Sequence, residues 1–175
     1  MKIFKDEGKE SLRTLYKTDA AKRASIVSDV QYQIAYSLLR GGKTFLGQVK
    51  IQFTMAGEVE DTFLDYAGEA VHWIKVNGTK VEEGSPFAND KISLKKEHLV
   101  KGSNIVEIKF ESRYVRDCEG VHYYKDTADD EEYLYSQFEA ASAHKAFPCF
   151  DQPNLKAPYT FLAIVPKTWI VLSTE

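Results

Sequence analysis

The spacing of apolar residues changes near residue 26. Over 9–25, "KESLRTLYKTDAAKRAS", Leu12, Leu15, Tyr16, Ala20 and Ala24 recur at helical spacing with no proline or glycine between them. That pattern predicts a short amphipathic helix. From Val27 onward the period is two. "VSDVQYQIAYSLL" puts Val30, Tyr32, Ile34, Tyr36 and Leu38 on one side of an extended chain. After a Gly41-Gly42 turn, "FLGQVKIQFTM" repeats the alternation through Phe45, Val49, Ile51 and Phe53. Gly47 falls in that same row, which points to a bulge or a close backbone approach.

Further strands are predicted in "DTFLDYAG", in "EAVHWIKVNGTKV" folded at Asn77-Gly78, in "KISL", in "NIVEIKFESRYV" (104–115) and in "YLYSQFE". His122, Tyr123 and Tyr124 read as strand residues, and "APYTFLAIVPKTWIVLS" as two final strands around Pro166-Lys167. "KKEHLVKGSN" reads as a turn and "DTADDEE" as an acidic loop. Strands recurring every ten to fifteen residues, with turn chemistry between them, predict an all-β fold. The expected form is an antiparallel sandwich or saddle-like open barrel with a short N-terminal helix. We divide the chain into a lead-in, 1–26, and one β-domain, 27–175; no internal repeat or linker interrupts it.

Composition narrows the function classes. The 175 residues are 43% hydrophobic and 28% charged, which fits a folded globular domain with a sizeable core. Aromatic residues make up 13%, a bias toward strands. A net charge of -3 supplies no basic field, so no nucleic-acid partner is expected. No stretch approaches the roughly 20 apolar residues of a membrane span, and the opening "MKIFKDEGKE" has no signal-peptide core. The expectation is a cytoplasmic chain without a membrane partner. Cys118 and Cys149 then read as free thiols. The four histidines show no metal-ligand spacing with each other or with the cysteines.

The stretch "SQFEAASAHKAFPCFDQP", 136–153, is where chemistry concentrates: Glu139 and Asp151 lie among Phe138, Phe147, Pro148, Cys149, Phe150 and Pro153. Taken alone, Glu139 reads as a solvated strand-end carboxylate satisfied by a neighbouring lysine. Asp151, before Gln152-Pro153, reads as a turn cap rather than a catalytic acid. Cys149 reads as a packed small hydrophobe, since no base accompanies it in a recognisable pattern. His144 and Lys145 read as surface residues.

Together, Gln137-x-Glu139 and the run Phe147–Pro153 followed by Lys156-Ala157 resemble the N-terminal β-domain of the aminopeptidase N family, the gluzincin zinc aminopeptidases. The likeness extends upstream through "EAVHWIKVNGTKV", "TFLDYAG" and the first hairpin, and so covers about residues 20 to 173. Ser136, Ala140 and Ser173-Thr174 depart from the residues common in that family. The resemblance implies that Glu139 binds a peptide's α-ammonium, that Gln137 lines the pocket of the first side chain, that Phe138 turns into the core, and that the Glu139–Ala140 peptide bond is cis. It implies partners: a peptide N-terminus and the protein's own catalytic domain. The family's Gly-x-Met-Glu-Asn and His-Glu-x-x-His motifs, which hold zinc and activate water, do not occur in this sequence. The expectation is therefore a fragment, truncated toward its C-terminal end, with no catalytic or metal-binding residue of its own and no activity alone. Two rival readings stand beside this one. One is a non-catalytic scaffold derived from the same family; the other is a generic β-sandwich module for glycan or peptide.

Overall fold

A computed structural model describes residues 15–81 and 87–173. Helix α1, Lys17–Ile26, runs directly into β1, Val27–Ser37. Then follow β2 Thr44–Met55, β3 Thr62–Asp65, β4 Ala70–Val76, β5 Thr79–Lys80, β6 Phe87–Ala88 and β7 Lys91–Leu94. β8 Gly102–Arg113, β9 Gly120–Lys125, β10 Glu132–Gln137 and β11 Tyr159–Ile164 complete the order. The fold is all-β, with one short α-helix among the described residues. Its strands form a six-stranded sheet in the order β11-β1-β2-β8-β4-β5, a three-stranded sheet β3-β7-β6 and the two-stranded ribbon β10-β9.

The period-two pattern converts directly into faces. Val30, Tyr32, Ile34 and Tyr36 of β1, and Phe45, Gly47, Val49, Ile51 and Phe53 of β2, are all buried, while the residues that alternate with them are exposed or half-buried. Val106, Ile108 and Phe110 of β8 extend the row across the sheet. The core closes where this row meets Leu64, Ile92 and Leu94 of the small sheet and the run Phe147–Phe150. Gly47 is a close approach and not a bulge: its register against β1 and β8 is unbroken. A Cβ built there would lie closer than 3.0 Å to the Phe110 ring. We expect Gly47→Ala to cost about 1–3 kcal/mol by overpacking; an unchanged denaturant midpoint would contradict this contact. The one irregularity in β1 lies between Ser28 and Gln31, where Asp29 takes φ 51°.

Several expectations need correction. Residues 9–14 of the expected helix lie outside the described residues, and the helix runs on to Ile26. Its buried side chains are Arg23 and Ile26, whereas Tyr16 is 62% exposed. β11 pairs with β1 in parallel, against an otherwise antiparallel sheet. Everything between the two strands, residues 38–158, serves as the long connection that parallel pairing needs. The second of the two final strands does not form among the described residues: 165–173 has no ladder partner there, and Ile170 and Leu172 are 87% and 90% exposed. Apolar alternation alone does not make a strand without a neighbour to bond. "KKEHLVKGSN" contains a 3-10 turn, Lys96–His98. The short β6 carried no sequence signal. At Asn77-Gly78 the hairpin forms as expected, with φ 51° and 82° at the two turn residues.

Candidate functional site

β10 carries the chain to the site. In the ribbon, Tyr135 lies opposite His122 and Gln137 opposite Gly120, so Tyr135 and Gln137 share one face. His122 is buried and stacks on Tyr135 with ring centroids 4.6 Å apart. Val115 bonds one edge of β9 on either side of His122, accepting from Tyr123 N–H at 2.9 Å and donating to Val121 C=O at 2.9 Å. The strand end therefore has a fixed base.

The peptide bond Glu139–Ala140 is cis, as the resemblance implied. Glu139 and Gln137 are both exposed. The Gln137 Oε1 accepts the Glu139 N–H at 3.0 Å, so the amide side chain fastens the backbone of the carboxylate residue. Among the described residues no lysine, arginine or histidine pairs with Glu139. Phe138 points the other way: it is half-buried and meets Phe147 edge-on at 5.9 Å. Ser142 N–H then donates to Phe138 C=O at 2.9 Å, closing a tight backbone turn that contains Glu139.

Behind this loop the apolar run is packed. Phe147, Pro148, Cys149 and Phe150 are buried. Phe147 meets Tyr32 at 5.8 Å and Phe150 meets Phe53 at 5.2 Å, both edge-on. Phe150 N–H donates to the Tyr32 hydroxyl at 3.0 Å, and burial pushes that phenol far above its ordinary range, so it stays neutral. Burial likewise pushes the Cys149 thiol well up, which removes it as a nucleophile at neutral pH. Pro153 begins an exposed turn.

Asp151 is committed to structure, though not as a cap of its own turn. Its Oδ2 accepts the His144 N–H at 3.1 Å and lies 2.6 Å from His144 Nδ1. This fastens the 3-10 turn Ala143–Lys145. His144 and Lys145 are thus not free surface residues, because each is held by an acid: the His144 side chain is only 15% exposed, and Lys145 pairs with Asp117 and Glu119. The hydrogen bond from Lys145 holds the Glu119 carboxyl below its usual range. The resulting contribution to stability is present above the ordinary glutamate pKa of about 4.3 and is lost as pH falls through the lower folded value. We expect Lys145→Met to move the Glu119 titration midpoint, followed by NMR, upward to the ordinary range. A midpoint that stays put would rule out this pairing in solution.

Two residues central to this region carried no functional reading in the sequence. Arg23, on α1 and only 2% exposed, pairs with Asp65 Oδ2 at 2.8 Å. Asp65 ends β3 and exchanges both backbone hydrogen bonds with Cys149, at 2.8 and 3.1 Å. Burial raises the Asp65 carboxyl, against the opposing pull of Arg23. The available signals were an acid between Leu64 and Tyr66 in a short apolar strand, and an arginine three residues from Ile26 on the inward side of the helix.

Among the described residues, no three His, Cys, Asp or Glu side chains converge to hold a metal ion. The described residues thus offer no zinc site, and no chemical step is assigned through it. Nor is any helix among them long and apolar enough to cross a membrane.

Comparison with known proteins gives this geometry a context. The profile of the Peptidase M1 N-terminal domain matches residues 28–175. The aminopeptidase N of Streptomyces lividans is 31% identical over 163 residues, which is 92% of this chain and 19% of that protein. The leucyl aminopeptidase of Saccharolobus solfataricus is 32% identical over 131 residues, 74% of this chain and 15% of that protein. The chain spans about a fifth of the length of the first of these relatives. Native yeast LTA4 hydrolase matches in structure with a TM-score of 0.68 at 19% identity, over 94% of this chain and 26% of the other. An M1 zinc metallopeptidase from Deinococcus radiodurans matches with a TM-score of 0.62 at 18% identity, over 81% of this chain and 33% of the other. The structural likenesses establish the fold, and the profile, running from the first strand to the last residue, establishes the family: this chain belongs to the peptidase M1 family, as its N-terminal domain.

Proposed function

We propose that this chain is the substrate-recognition part of a zinc-dependent aminopeptidase, with Glu139 as one half of an anionic cradle for the substrate's α-ammonium. The observation that supports this is a carboxylate on a braced strand end that has an open side and no cation of its own among the described residues. An α-ammonium with a pKa near 8 is largely charged at neutral pH. Enclosing it requires well-placed negative partners, and charge-assisted hydrogen bonds contribute about 1.5–3 kcal/mol each. Gln137 places the backbone of Glu139 and borders the space for the first side chain. Zinc and the water-activating base belong to a catalytic domain outside this chain, which is inactive alone.

The free thiols Cys118 and Cys149 accord with a cytoplasmic location. The exposed Phe161, Ile170 and Leu172, which border one cleft, accord with further polypeptide of the same protein lying there. The family-derived scaffold is the second reading, and the unpaired Glu139 weighs against it, because a scaffold has no use for an amine-binding carboxylate. The test is hydrolysis of aminoacyl 4-nitroanilides by the full-length protein and by the 175-residue chain. Chelator-sensitive hydrolysis by the former alone supports the proposal. A full-length protein that hydrolyses none of them, with zinc supplied, leaves the scaffold.

A further inference from the structure

We infer that Arg23 is a positioning residue for the amine-binding carboxylate, acting from α1 through Asp65 and the turn that follows Glu139. The inference rests on the proposed role of Glu139.

The Arg23 guanidinium occupies a built site. Nη1 pairs with Asp65 Oδ2 at 2.8 Å and reaches Phe63 C=O at 3.3 Å, while Nε donates to Gln152 Oε1 at 2.5 Å. Its Cζ lies 4.5 Å from the Phe63 ring centre and 5.6 Å from that of Phe150. Nη2 is buried without a hydrogen-bond partner among the described residues. Burying a charge costs several kcal/mol, and an apolar side chain of similar volume often serves stability as well or better. A helix needed only to cover the sheet end would do with leucine or methionine. What an apolar residue cannot do is fix Asp65 and Gln152 at once, which is what the arginine fork does.

From Asp65 the constraint passes along hydrogen bonds to Glu139. The carboxylate that Arg23 holds also accepts the Asp151 N–H at 3.0 Å. Asp151 in turn holds His144 through the ring and the backbone N–H. His144 C=O accepts Ala67 N–H at 2.9 Å, so the turn is tied back to the segment that follows Asp65. On its other side, Lys145 N–H donates to Ser142 C=O at 3.2 Å, and Ser142 N–H to Phe138 C=O at 2.9 Å, one residue before Glu139. The helix ahead of the sheet thereby sets the place of a side chain more than a hundred positions later in sequence.

The test is a double-mutant cycle in the full-length protein: Arg23→Lys, Glu139→Gln and the pair, with kcat and KM measured on leucine and alanine 4-nitroanilides well below each melting temperature. Lysine keeps the charge but not the fork. A misplacement near 1 Å can cost up to about a hundredfold, so Arg23→Lys should lower kcat/KM by about ten- to a hundredfold, and the loss should shrink to about twofold or less when Glu139→Gln is already present. Equal losses in both backgrounds, or a lowered melting temperature with unchanged kcat/KM, would overturn the inference while leaving the role of Glu139 intact. An unchanged kcat/KM for Glu139→Gln alone would sink that role and this inference together. If Arg23→Lys fails to fold, Gln152→Met removes one hold without stranding an acid. In that cycle a loss that shrinks beside Glu139→Gln supports the inference, and a loss equal in both backgrounds overturns it.

Discussion

In the full-length protein, Glu139→Ala should lower kcat/KM on free-amine substrates by about 2–5 kcal/mol, roughly thirtyfold to several thousandfold. The size follows from what would be left behind. On the proposed arrangement, an ammonium enclosed by Glu139 and a second anionic partner would lose one of the two while staying desolvated, so the transition state would carry an undercompensated charge. The loss should fall on substrates with a free amine and spare the fold, because Glu139 is exposed and makes no ion pair among the described residues. Its backbone, not its carboxylate, is what Gln137 holds. Circular dichroism and melting temperature should therefore match the parent protein. Near-normal kcat/KM in a folded variant would count against the assignment.

The second large effect is on stability. Asp65→Ala should destabilise the domain by about 3–5 kcal/mol, the range for removing one partner of a buried pair. Among the described residues, Arg23 would keep its charge at 2% exposure with Gln152 Oε1, Phe63 C=O and the faces of the Phe63 and Phe150 rings to compensate it. Asp151 N–H would lose its acceptor in the same step. Paired replacement of Arg23 and Asp65 by apolar residues should recover part of that loss, since no charge is then stranded. Chemical denaturation of the single and double variants checks both statements. A single variant as stable as the parent would mean that the Arg23–Asp65 contact adds nothing in solution.

The sheet was legible because strands with one wet face obey a period of two. Val30 to Tyr36 and Phe45 to Phe53 state their faces without reference to any partner. The direction and neighbours of a strand are not local properties, and there the sequence fell short. Nothing in "APYTFLAI" marks parallel pairing with β1, and nothing in "TWIVLS" marks the lack of a partner. The site divides in the same way. Glu139, Gln137 and the run Phe147–Pro153 form one continuous segment, so a motif could identify them. Arg23, Asp65 and Gln152 lie far apart along the chain and meet only after the helix, the small sheet and the loop have packed. His144 was misread as surface because its partner, Asp151, lies across a turn whose shape no short window reveals.

The most direct measurement compares two inhibitors of the full-length protein that differ only in the amine, leucinamide and 4-methylpentanamide, against the parent protein and Glu139→Gln. One or more charge-assisted hydrogen bonds at about 1.5–3 kcal/mol predict that the parent prefers leucinamide by about ten- to a hundredfold or more. This preference should largely collapse in Glu139→Gln; the same preference in both proteins would contradict an amine-binding role for Glu139.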